Sequence, residues 1–166
     1  MLDAAVRALK EGKEPDIQHP LRVATEINLH VPALLPEDYC SDVHERLILY
    51  KRMANCTNDE QLDEIQVELT DRFGLLPDPV RALLDCHRLR IAATPLGITR
   101  IEATPDYIQV QFTPNPPVDP GRIVAFLQRS RDHQLFGPDR LKIKTQIAAV
   151  RDRVTRIKSL IAELTT

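Results

Sequence analysis

The sequence predicts an α+β fold in which a small, mainly antiparallel sheet packs with about five helices. Three observations lead there. Apolar residues recur every three to four positions from Val43 to Ile91, the period changes to alternation between Ile98 and Phe112, and helical spacing returns from Ile147 to Leu164. At 166 residues, 43% apolar and 28% charged, the chain has the size of one domain or two small ones and lacks the composition of a disordered or collagen-like protein.

Along residues 1–24, Leu2, Val6 and Leu9 share a helical face, Gly12 can end that helix, and Pro15 and Pro20 break the stretch beyond it; the chain reads as starting inside a larger protein. A strand is expected over Thr25 to Val31, where Ile27, Leu29 and Val31 alternate with Glu26, Asn28 and His30, and Pro32 closes it. A first helix should start near Ser41 with Val43, Leu47, Tyr50 and Ala54 facing inward, widened by Ile48 and Met53. The second opens on Thr57-Asn58-Asp59-Glu60, a capping-box pattern from Thr57 to Glu60, carries the stripe Leu62, Ile65, Leu69 and Phe73, and stops at Gly74. The third begins at Asp78-Pro79, with Asp78 as N-cap, places Val80, Leu84, His87 and Ile91 on one face, and stops at Gly97.

Ile98 and Ile101, a turn at Pro105-Asp106, and Ile108, Val110 and Phe112 separated by glutamines predict a hairpin with one solvated face. Pro114, Pro116 and Pro117 make a stiff connection, Asp119-Pro120 caps a helix through Leu127, and Leu141 to Lys144 is a short strand. The last helix carries Ile147, Val150, Val154, Ile157, Ile161 and Leu164, a narrow seam that predicts intramolecular helix packing, with a coiled-coil dimer as the alternative.

Chemistry is sparse. Walker-type, dinucleotide-type, nucleophile-elbow and H-E-x-x-H motifs are all missing, and 5 glycines in 166 residues leave little for phosphate-cradling loops. Cys86-His87 could be a nucleophile and base, but helix neighbours point about 100° apart. Cys40 and His44 could share a metal, yet no second ligand pair completes four. No catalytic, cofactor-binding or metal residue is therefore assigned. Three cysteines without a C-x-x-C, no apolar run near the roughly 20 residues of a membrane span, and no secretory core predict a cytoplasmic protein with reduced thiols.

Charge is uneven under the net −2: residues 37–86 hold 12 acidic and 5 basic side chains, and residues 121–166 hold 4 acidic and 10 basic. Glu60, Glu64, Glu68 and Asp71 recur at helical spacing with Asp63 alongside. Such a stripe is either a solvated face or a docking surface for a partner's arginines, which closely spaced carboxylates bind bidentately. Its basic counterpart is Arg140, Lys142 and Lys144 on the strand with Arg151, Arg153, Arg156 and Lys158 on the last helix, but aromatic residues are only 4% of the chain and no stacking platform is evident.

The segment Glu68-Leu69-Thr70-Asp71-Arg72-Phe73-Gly74-Leu75-Leu76-Pro77 closely resembles the E-L-x-D-R-F-G-x-L-P signature of the C-terminal regulatory (TRCF) domain in the bacterial transcription-repair coupling factor (Mfd) family. Glu26 to Leu29, Pro32 to Tyr39, Arg46-Leu47 and Tyr50 to Arg52 match that family's opening strand, loop and first helix. The resemblance implies residues 25–166 as the regulatory domain and 1–24 as the end of the preceding motor lobe or a linker. It implies no catalysis here: ATP and magnesium belong to the motor domains of the full-length, helicase-like DNA translocase, which also hold the DNA.

It further implies a domain that docks on a UvrB-like N-terminal module of the same protein, hides the UvrA-binding surface and restrains the motor until RNA polymerase is engaged. By position in the signature, Glu68 and Asp71 are the carboxylates implied to meet the partner, with Glu64 and Arg72 beside them. Arg72 could instead bond within the domain, to a carboxylate such as Asp78. Phe73, Gly74 and Pro77 are explained as a helix stop. Two other classes stay open: a nucleic-acid-binding accessory domain using the basic C-terminal helix, and a small enzyme.

Overall fold

The computed structural model describes residues 25–165. The elements run β1 (Glu26–Asn28), α1 (Val43–Ala54), α2 (Asp59–Phe73), α3 (Asp78–Ala93), a 3₁₀ turn (Thr94–Leu96), β2 (Ile98–Ala103), β3 (Tyr107–Phe112), α4 (Pro120–Gln128), β4 (His133–Leu135), β5 (Arg140–Lys144) and α5 (Val150–Thr165). The fold is α+β, with five helices and a five-stranded mixed sheet of order β1-β2-β3-β5-β4 among the described residues. Among the described strands only β1 and β2 pair in parallel. The helix read over Leu2, Val6 and Leu9 lies outside the described residues.

Two apolar cores meet at α3. The first gathers the inward side chains of the hairpin and β5 (Ile101, Ile108, Val110, Leu141, Ile143) with Phe126 of α4 and Val154, Ile157, Ile161 and Leu164 of α5. The second joins Leu49 and Met53 of α1 to Leu62, Ile65 and Leu69 of α2. Val80, Leu83 and Leu84 of α3 close the second core, and Leu89 and Ala93, two turns later, close the first. Val80, Leu84 and Leu89, each almost fully buried, contribute roughly 1.5–3 kcal/mol apiece, so α3 holds the α1–α2 layer to the sheet. The seam on α5 packs inside the chain, and Leu160 and Arg153 join it.

Local chemistry moved several boundaries by a residue. Asn58 caps α2, its Oδ1 accepting from the Gln61 N–H at 2.9 Å while Gln61 Oε1 accepts from the Thr57 N–H at 2.7 Å. The expected Thr57–Glu60 box is thus displaced by one position, because Gln61 can reach back as well as Glu60. At α3 the cap is Pro77, and Asp78 is already helical. Asp119 caps α4 as expected, accepting from the Gly121 N–H at 2.9 Å. The short strand β4 had no counterpart in the sequence pattern; three residues are too few to show a period.

The larger correction concerns α1. Val43 and Leu47 are 59% and 61% exposed, and Leu49 and Met53 are the buried pair. The helix carries two apolar stripes, and among the described residues only the one facing α2 and α3 has a partner.

Candidate functional site: the acidic face of α2

The signature residues sit at the C-terminal half of α2, where the entering loop ties them down. The Tyr39 hydroxyl donates to the carbonyls of Leu69, at 3.1 Å, and Gly74, at 2.9 Å, and its ring packs 5.5 Å from that of Phe73. Gly74 has φ of 96°, the conformation that frees the chain to leave the helix. Phe73 also supports the Arg72 guanidinium, 4.9 Å above its ring. The helix-stop reading of these residues holds.

The acidic stripe does not act as one surface; the fold divides it in three. Glu68 turns toward α1, where Arg52 grips it bidentately at 2.7 and 3.1 Å and Arg72 adds a bond at 3.2 Å. The Arg52 hydrogen bond, more than any other influence, holds the Glu68 carboxyl below the usual range. Arg72 also reaches Glu45 at 3.1 Å, so the carboxylates it meets are Glu45 and Glu68, not Asp78. On the opposite flank Asp59 and Asp63 meet Arg88 of α3 at 3.7 and 2.7 Å.

Glu60, Glu64 and Asp71 remain on the outward crest, exposed and without an ion pair among the described residues. Val67 stands between them, 59% exposed. Along one side of this crest Asp63, Gln66, Val67, Thr70 and Asp71 line a shallow groove of about 360 Å³. The arrangement can offer unpaired carboxylates beside an apolar contact, which suits a guanidinium and its methylenes.

The other candidates fall elsewhere. Burial pushes the Cys86 thiol up to about 11 and His87 down to about 4, opposite to what a thiolate–imidazolium couple requires. Cys40 is buried while His44 is exposed. Arg153, expected in the basic patch, is buried and donates to the carbonyls of Ile147, Leu29 and Ala148 at 2.9, 2.7 and 3.0 Å. Arg156 lines a separate pocket of about 190 Å³ with Arg129 and His133, and Lys158 and Arg151 lie near Asp85 of α3. Arg140, Lys142 and Lys144 do project together from β5, and here the sequence pattern hid a feature: Tyr107 and Phe136 flank Lys142.

The TRCF domain family matches residues 29–123, which include all of α1, α2 and α3 and the hairpin. The chain belongs to the TRCF domain family. It is 41% identical over 165 residues to the transcription-repair-coupling factor of Escherichia coli (strain K12), covering 99% of this chain and 14% of that protein. The corresponding protein of Haemophilus influenzae (strain ATCC 51907 / DSM 11121 / KW20 / Rd) is 39% identical over 162 residues, with 97% and 14% covered. The chain thus spans about a seventh of the length of these relatives. Its fold is similar to the crystal structure of a C-terminal domain of transcription-repair coupling factor, with a TM-score of 0.67 at 22% identity over 85% of this chain and 94% of that one. Among the described residues no helix is long and apolar enough to cross a membrane.

Proposed function

We propose that this TRCF domain is a non-catalytic, autoinhibitory partner-binding domain of a cytoplasmic repair translocase. It docks on the UvrB-like N-terminal module of the same protein, masks the surface that receives UvrA, and restrains the ATP-dependent motor; RNA polymerase acts on it indirectly, and DNA is held by the motor domains. In this reading residues 25–166 are the regulatory domain and residues 1–24 the end of the preceding motor lobe or a linker.

The observation that supports the reading is the outward crest of α2, where Glu64 and Asp71 have no ion pair among the described residues and stand beside Val67, Asp71 within the family signature and the other two just before it. Glu68 and Arg72 take part differently. Their intramolecular bonds fix the α1–α2 edge against which a partner arginine docks, and such a cation meets Asp71 and Glu64 first. Exposed charge pairs contribute only about 0.2–1 kcal/mol each and fade with salt, so the contact can hold the domain closed and still release.

The test belongs in the full-length protein. Asp71→Ala with Glu64→Ala is expected to raise UvrA binding and the motor's basal ATPase together, as the masked surface opens. Both remaining at the parent level would contradict the proposal.

A further inference from the structure

Among the described residues, helices cover only one face of the sheet. On the other, the register aligns Tyr107 with Lys144, Gln109 with Lys142, Gln111 with Arg140, and Gln134 with Lys142. Their alternating neighbours Ile108, Val110, Leu141 and Ile143 are buried, so this row faces solvent. The Lys142 ammonium lies 4.6 Å from the Tyr107 ring centroid and 5.9 Å from that of Phe136, which is 58% exposed.

Strands β3, β4 and β5 contain three cations, Arg140, Lys142 and Lys144, and no Asp or Glu. Three carboxylates border this row: Glu102, paired in register with Gln109, Asp139, and Asp106, whose charge bears on Tyr107. Glu102 accepts from the Tyr107 hydroxyl and pairs with Arg100 at 3.2 Å, while Asp139 accepts from the Gln111 amide at 3.5 Å. Gln109 and Gln134, on either side of Lys142, make no side-chain hydrogen bond among the described residues.

We propose that this sheet face binds single-stranded RNA, with a base stacked on the exposed Phe136 ring and phosphates on Lys142, Arg140 and Lys144, Tyr107 holding Lys142 in place beneath them. Duplexes are disfavoured because their bases are already stacked and cannot lie on the ring. A flat sheet with aromatic planes and interleaved cations is the geometry single strands use. The ribose 2′-hydroxyl, donor and acceptor at once, matches the unpaired amides of Gln109 and Gln134, which deoxyribose cannot satisfy. The site is separate from the α2 crest and independent of the function proposed for it.

The experiment is fluorescence anisotropy of the full chain with a labelled oligouridylate of about ten nucleotides, a length within the usual single-strand footprint. Binding is expected to weaken with salt at a log–log slope of about −2, for three phosphates neutralised. Phe136→Ala should weaken it by roughly fivefold or more, and because the ring is exposed the variant should keep the parent's circular dichroism. Lys142→Gln should reduce the slope by about 0.7. No binding, or affinity unchanged in Phe136→Ala, overturns the site; equal affinity for oligothymidylate overturns the assignment to RNA.

Discussion

Gly97 comes directly after the 3₁₀ turn with φ of 74°, and a Cβ there would lie 2.8 Å from Pro117 Cδ and 2.9 Å from Thr113 Oγ1. Left-handed strain alone costs about 1–2 kcal/mol in a residue with a side chain, so Gly97→Ala is expected to destabilise the chain by about 2 kcal/mol or more in urea unfolding. His87 offers a pH readout. Its pKa falls from 6.5 to about 4, chiefly through burial and then through Arg90. The unfolded state takes up a proton that the folded state refuses, so the stability due to this residue is complete above pH 6.5 and is lost as the pH falls toward 4. His87→Gln should flatten the stability profile across that window. Arg153→Met tests the buried guanidinium: it strands the carbonyls of Leu29 and Ile147 and should cost about 3 kcal/mol. Gly97 was readable as the end of the helical run, although α3 itself stops at Ala93 and the 3₁₀ turn carries the chain on to the glycine. Arg153 was not, since nothing local shows that carbonyls from β1's end and the α5 approach converge on it.

At the level of elements, α2 shows how far a charge pattern reads. Its apolar stripe, its glycine stop and its acidic character are set by spacing within the helix. The division of its carboxylates depends on Arg52 and Arg88, which belong to other helices and reach α2 only through the fold. The division has a measurable consequence. Glu68→Ala should lower stability by about 0.2–1 kcal/mol, the usual worth of a partly exposed pair, and the loss should appear at neutral pH. Because the folded pKa of Glu68 is depressed, that stability is present above the ordinary carboxylate range and vanishes as the pH falls through the depressed value. Asp71→Ala, with no ion pair to break among the described residues, should leave the unfolding midpoint unchanged. The burial of α1 was misread for the same reason: both its stripes are apolar, and only the neighbours decide which one is covered.

In the whole molecule, α3 belongs to both cores, so the α2 crest and the open sheet face are carried by one scaffold. The hairpin, the capped α4 and the intramolecular seam of α5 were legible because each is a local pattern. The parallel pairing of β1 with β2 was not, since it joins segments about seventy residues apart. The central claim is that this scaffold presents the α2 crest to a basic partner in the same protein. The most direct measurement is calorimetry of this chain with the UvrB-like N-terminal module at two salt concentrations, repeated with Asp71→Ala plus Glu64→Ala. The account predicts binding that weakens as salt rises and is largely lost in the double variant at unchanged stability. Binding indifferent to both salt and the double substitution would contradict it.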